Sequence, residues 1–79
     1  MAELQTTLHD IAAAIVDSPD EVKVIREEDD TTITLTLTVA PDDMGMVIGR
    51  HGRIAKAIRS VMKSAATTAG KKVIVDIKD

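Results

Sequence analysis

The chain has no cysteine and no phenylalanine, tyrosine or tryptophan in its 79 residues, and only 4 glycines and 2 prolines. Without thiols there is no disulfide staple and no cysteine-held metal centre. Without Phe, Tyr or Trp the core must be built from Ile, Val, Leu, Met and Ala, and none of those three rings can offer a stacking platform. No apolar run approaches the ~20 residues of a membrane-crossing helix, and no charged-then-apolar leader opens the chain, so a soluble, cytoplasmic protein is expected. A single domain covering residues 1–79 follows from the length; one this small buries roughly 60% of its unfolded surface, which makes a second subunit a useful source of further burial.

Positive charge is scarce in one half only. Residues 1–46 carry 11 acidic and 2 basic residues, net −9, whereas residues 47–79 carry 8 basic and 2 acidic, net +6. The overall charge of −3 hides this polarity, which would draw a polyanion to one end.

Apolar periodicity places the elements. Leu4, Leu8, Ile11, Ala12, Ile15 and Val16 recur at spacings of three and four, predicting an amphipathic helix over residues 3–17 that Ser18-Pro19-Asp20 stops. Val22 to Glu28 reads as a strand. Ile33, Leu35, Leu37 and Val39 alternate with Thr32, Thr34, Thr36 and Thr38, a strand with one buried and one threonine face. Asp29-Asp30-Thr31 between them is hairpin-sized. Pro41, Asp42 and Asp43 suit the start of a short helix ending at Gly49, the carboxylates favouring its positive end. From Arg53 a second helix turns Ile54, Ile58, Val61, Met62, Ala65 and Ala69 inward and Lys56, Arg59 and Lys63 outward, closing at Gly70. Val73, Val75 and Ile77 alternate with Ile74, Asp76 and Lys78 in a last strand. The order α-β-β-α-α-β, with a hairpin and then a helical crossover that permits parallel pairing, predicts an α+β fold: a three-stranded mixed sheet packed against three helices on one side.

The densest signal is Val47-Ile48-Gly49-Arg50-His51-Gly52-Arg53-Ile54. Gly49 stands where a helix end wants a positive φ, and Gly52 where the next helix begins and a ligand could approach without meeting a Cβ. Unpaired amides at that helix start, with the dipole behind them, would hold an anionic oxygen, and Arg50, His51 and Arg53 add donors.

Ile48-Gly49-Arg50-His51-Gly52 resembles the I-G-x-x-G signature of KH domains, and the element order is similar to their bacterial, type II arrangement. The match is closest to small stand-alone bacterial KH proteins of the KhpA type, through Ser18-Pro19-Asp20-Glu21-Val22, Val47-Ile48-Gly49-Arg50, Gly52-Arg53-Ile54-Ala55-Lys56-Ala57-Ile58-Arg59 and Lys71-Lys72-Val73. That resemblance covers nearly the whole chain. It implies a non-enzymatic single-stranded RNA-binding protein whose Gly49 to Gly52 loop grips the backbone of about four nucleotides. Val47, Ile48, Ile54 and Ile58 would then form a shallow apolar groove, edge-strand backbone would read bases, and the loop of Gly70, Lys71 and Lys72 would border the groove. The candidate RNA-binding residues are Val47, Ile48, Gly49, Arg50, His51, Gly52, Arg53, Ile54, Lys56, Lys71 and Lys72. The resemblance also implies a post-transcriptional role and pairing with a second copy or another KH protein. Met46 departs from the pattern, where a basic residue is common, which implies one phosphate contact fewer.

Each feature has a plainer reading. The glycine loop could be a simple connection between helices, and Lys56, Arg59 and Lys63 a solvated helix face. His51 reads equally as an exposed loop residue, and His9 as a surface residue with no partner for a metal. Glu27-Glu28-Asp29-Asp30 is a solvated hairpin tip or a cation site. Met44, Met46 and Met62 read as gap-fillers or interface residues. At the level of function, the rivals are a protein-interaction module with little RNA binding of its own, a small phosphate-handling enzyme, and a DNA-binding helix-turn-helix. The enzyme reading lacks a cysteine nucleophile and an Asn to orient water, and the flanking strands and very short first helix weigh against the last. No cofactor or metal is implied.

Overall fold

Leu4, Leu8 and Ala12 stack at four-residue intervals along the buried side of the first helix, α1 (Leu4–Ile15). The computed structural model describes residues 4–67 and 70–79, so the expected first helical residue, Glu3, lies outside the described residues. The helix stops two residues before the expected end. A single 3-10 turn at Pro19–Glu21 follows, and the chain enters β1 (Lys23–Glu28).

The hairpin to β2 (Thr32–Thr38) is made by one side chain. Asp29 Oδ1 accepts the backbone N–H groups of Thr31 at 2.9 Å and Thr32 at 2.7 Å, the local bonding that makes aspartate a turn residue. The sheet order is β1-β2-β3, with β3 (Lys72–Lys78); β1 pairs antiparallel and β3 parallel to the central strand. Ile33, Leu35 and Leu37 stand beside Val73, Val75 and Ile77 and face the helices, with the three β2 residues at most 1% exposed. The threonines lie half-buried on the other side, so helices cover one face only, as the alternation predicts.

Between β2 and β3 come a 3-10 turn at Pro41–Asp43, the short helix α2 (Met44–Ile48), and α3 (Arg53–Ala65). Asp43 does not cap α2 with its side chain. Its carboxylate is buried and accepts the Ser18 backbone N–H at 3.0 Å, tying the end of the first helical segment to the start of the second. A buried carboxylate without such a donor would be costly.

Two expectations for α3 are corrected. Ala55 and Ala66 line the core, while Ile54 and Val61 remain 36% and 49% exposed; the buried stripe is rotated toward the small residues, which let the helix approach the sheet closely. The helix also ends at Ala65, not at Gly70. The Thr67 hydroxyl donates to the Lys63 carbonyl at 3.4 Å, competing with the backbone bond that would prolong the helix. Gly70, at φ 69°, serves the turn into β3 instead. Ala69 lies outside the described residues.

Candidate nucleic-acid interface

Gly49 ends α2 by donating its N–H to Gly45 O at 2.9 Å and takes φ 75°, ψ 175°, a conformation essentially reserved for glycine. A Cβ added there would lie 2.6 Å from Ile54 Cγ1, so the position is glycine for two independent reasons. Arg50 follows, then His51 in left-handed geometry (φ 58°, ψ 24°) and Gly52 at φ 74°, ψ 14°. His51 is the only described residue other than glycine with positive φ. That region is sparsely used by residues other than glycine, with histidine among those that enter it more readily.

One expectation about this elbow is met only in part. The amides of Gly52 and Arg53 are not unpaired: they turn back onto Gly49 O, at 3.2 Å, and Arg50 O. The elbow is a closed 3-10 turn, so its attraction for an anion rests on side chains more than on bare helix-start amides. Those side chains are available. Arg50, His51 and Arg53 are exposed, and among the described residues none of them enters an ion pair. A Cβ at Gly52 would meet nothing within 4 Å, so the surface above it is open to an approaching backbone.

The apolar neighbours divide. Ile48 and Ile54 are 37% and 36% exposed beside Gly49 and present surface to a ligand. Val47 and Ile58 are buried; contrary to the expected groove lining, they support the elbow from beneath and offer a base almost no surface of their own. Met46 is half-buried in α2, on the turn just before the elbow.

The basic residues form a track. Lys56, Arg59 and Lys63, spaced i, i+3 and i+7, share one side of α3. They lead from the elbow to a depression of about 500 Å³ lined by Lys63, Thr67, Lys71, Lys72 and Val73 at the far end. The helix between has 13 residues, about 20 Å at 1.5 Å per residue. The elbow and the lysine pair are therefore at opposite ends of one surface. Sequence reading places all three on one outward face of the helix and carries only Lys56 into the candidate site.

Lys71 differs from the rest. Its ammonium bonds the Glu28 carboxylate and donates to Asp29 O at 2.8 Å, while Arg26 Nη2 holds the other Glu28 oxygen at 2.6 Å. These bonds, the one from Lys71 foremost, hold the Glu28 carboxyl below its ordinary range, and the Thr31 and Thr32 amides do the same for Asp29. The acidic hairpin is thus a clamp on the start of β3, and Lys71 is engaged in it. Among the described residues no group of three or more His, Cys, Asp or Glu could hold a metal ion.

The family model described as KhpA/KhpB, KH domain matches residues 5–77. Proteins named RNA-binding protein KhpA are similar over nearly the full length. That of Clostridium acetobutylicum is 51% identical over 74 residues (94% of this chain, 99% of the relative). That of Halalkalibacterium halodurans is 47% identical over 76 residues (96% and 100%), and that of Bacillus subtilis 45% identical over 76 residues (96% and 94%). Those relatives are named for RNA binding and not for a reaction. Among solved structures, a single-site variant of Aquifex aeolicus Era bound to GDP and aluminium fluoride superposes with a TM-score of 0.69 at 15% identity, over 94% of this chain and 29% of that one, a likeness of fold alone.

Proposed function

This chain belongs to the KhpA/KhpB KH-domain family, and on that ground we propose that it binds single-stranded RNA, gripping the phosphate backbone at the Gly49-Arg50-His51-Gly52 elbow. The observation that carries the reading is an exposed, strained turn whose three basic side chains have no acidic partner among the described residues. Arg50 can fork onto one phosphate and Arg53 reach the next, while Ile48 and Ile54 give bases an apolar surface. The module grips about four nucleotides, and without aromatic stacking each base contributes little, so affinity is modest and salt-sensitive. The biological role in this reading is post-transcriptional, as a regulator or RNA chaperone in the cytoplasm, where unpaired transcripts are met. No chemistry is catalysed.

The experiment is a comparison of single-stranded RNA, single-stranded DNA and duplex DNA at two salt concentrations. Preference for single-stranded RNA at both salts supports the reading; preference for duplex DNA overturns it.

A second reading, association with another copy or another KH-domain protein, is favoured by Ile25 at 58% and Val61 at 49% exposure, large apolar groups on two different surfaces. Sedimentation without RNA tests it: a monomer across the micromolar range rules out the homodimer.

A further inference from the structure

We infer that Arg59 selects the base lying against the outer edge of the sheet, favouring one that presents two adjacent acceptor atoms. The inference rests on the reading that unpaired RNA lies along α3 and goes beyond it by naming the chemistry of the base. Its starting point is the direction of the β3 backbone. Lys72 donates its N–H to Thr31 O at 3.0 Å, and Val39 donates to Lys78 O at 3.2 Å, so the polar groups of Lys72 and Lys78 turn inward to β2. Backbone polar groups alternate along a strand. Those of Val73, Val75 and Ile77 therefore turn outward, onto an edge with no neighbouring strand among the described residues, where unpaired N–H and C=O groups ordinarily invite a partner.

Arg59 reaches that edge from α3, donating Nε–H to Val75 O at 3.2 Å. The Val75 carbonyl, the central acceptor of the edge, thereby has one of its two lone pairs turned to the guanidinium. The same bond fixes the guanidinium, and the Nη groups of this exposed residue, with no partner among the described residues, remain as donors only, since guanidinium accepts nothing. Arg59 stands six residues from Arg53, about 9 Å along the helix, within the reach of a few nucleotides held at the elbow. Mid-groove is thus dominated by a fork of donors. Guanine (O6, N7) and cytosine (O2, N3) offer two neighbouring acceptors to such a fork. Adenine sets an amino donor beside its acceptors and uracil alternates acceptor and donor, so each leaves a donor facing a donor.

The test measures binding of labelled oligo-C, oligo-A and oligo-U RNA of equal length to the wild-type chain, to Arg59→Lys, which keeps the charge but not the fork, and to Arg50→Asp/His51→Asp, with thermal melts of each. The wild-type chain should prefer oligo-C by about tenfold, within the range a bidentate contact gives. Arg59→Lys should lose that preference while binding oligo-A and oligo-U within about twofold of wild type, because the charge is kept. Near wild-type binding of all three RNAs by Arg59→Lys, with the preference intact, would make Arg59 a general cation, an equal loss on all three would make it a contact blind to the base, and a lower melting temperature with the preference intact would make it a clip between helix and strand; any of these results overturns the inference. Loss of all binding in the elbow variant alongside an unchanged preference in Arg59→Lys would sink this inference and leave the RNA-binding function standing. A wild-type chain that binds none of the three overturns both.

Discussion

Ile54 packs so closely over Gly49 that a Cβ on the glycine would fall 2.6–2.9 Å from three of its side-chain atoms. The contact joins the end of α2 to the first turn of α3 across the elbow, and it sets the shape on which the basic side chains stand.

Gly49→Ala should therefore destabilise the chain by about 1–3 kcal/mol, from the φ 75°, ψ 175° conformation and the clash together. Urea denaturation measures this. In an Ile54→Ala background the contacts with Cγ1 and Cδ1 go while the 2.9 Å approach to Cβ and the backbone strain stay, so the Gly49→Ala cost should shrink without vanishing; an unchanged cost would show that the outer atoms of Ile54 contribute nothing.

The Asp43 carboxylate holds the Ser18 amide across 25 residues of sequence. Asp43→Ala leaves that part-buried donor unpaired and should cost about 1–3 kcal/mol. Asp43→Asn keeps an acceptor oxygen of similar reach and should cost less. Equal losses in the two variants would show that the bond is not what Asp43 supplies.

Glu28 gives the stability a defined acid limb. Its folded carboxyl is held below the ordinary value of 4.5 by the bonds from Lys71 and Arg26. The charged, bonded form therefore stabilises the fold fully above about pH 4.5, and this contribution fades as pH falls through the lowered folded value. Asp29, lowered from 3.8 by the Thr31 and Thr32 amides, acts with the same sign further down. Thermal melts between about pH 7 and about pH 2.5 should show Glu28→Gln starting lower and falling less on acidification than wild type. Parallel curves would mean that the clamp does not persist in solution, in keeping with the small worth of many exposed ion pairs.

Much of this architecture is legible in the residues themselves. Thr32 to Thr38 declares both faces of its strand, and Gly49 and Gly52 mark the elbow, because β-branched alternation and positive φ are local properties. Ranking positions by side-chain size misplaces the face of α3, since it favours Ile54 and Val61. Close packing against the sheet instead selects Ala55 and Ala66. Lys71 reads as a groove cation until the fold brings Glu28, 43 residues away, to its ammonium. The closed amides of Gly52 and Arg53, the bond from Asp43 to Ser18 and the reach of Arg59 to Val75 depend on the folded chain, and spacing alone carries no trace of them.

Phosphate neutralisation has a salt signature. For single strands the slope of log K against log salt is about −0.7 for each phosphate neutralised. Arg53→Gln should reduce the slope's magnitude by about 0.7, whereas Lys71→Gln, removing a cation already bonded to Glu28, should change it less. A larger change from Lys71→Gln would place the main contact at the far end of α3.

The most direct measurement replaces Arg50 and His51 together with Asp and follows RNA retention on a filter beside the circular dichroism spectrum. Both side chains lie outside the core and are exposed in the turn, so the spectrum should match wild type while RNA binding falls below detection. Undiminished RNA binding by that folded variant would contradict the elbow as the grip.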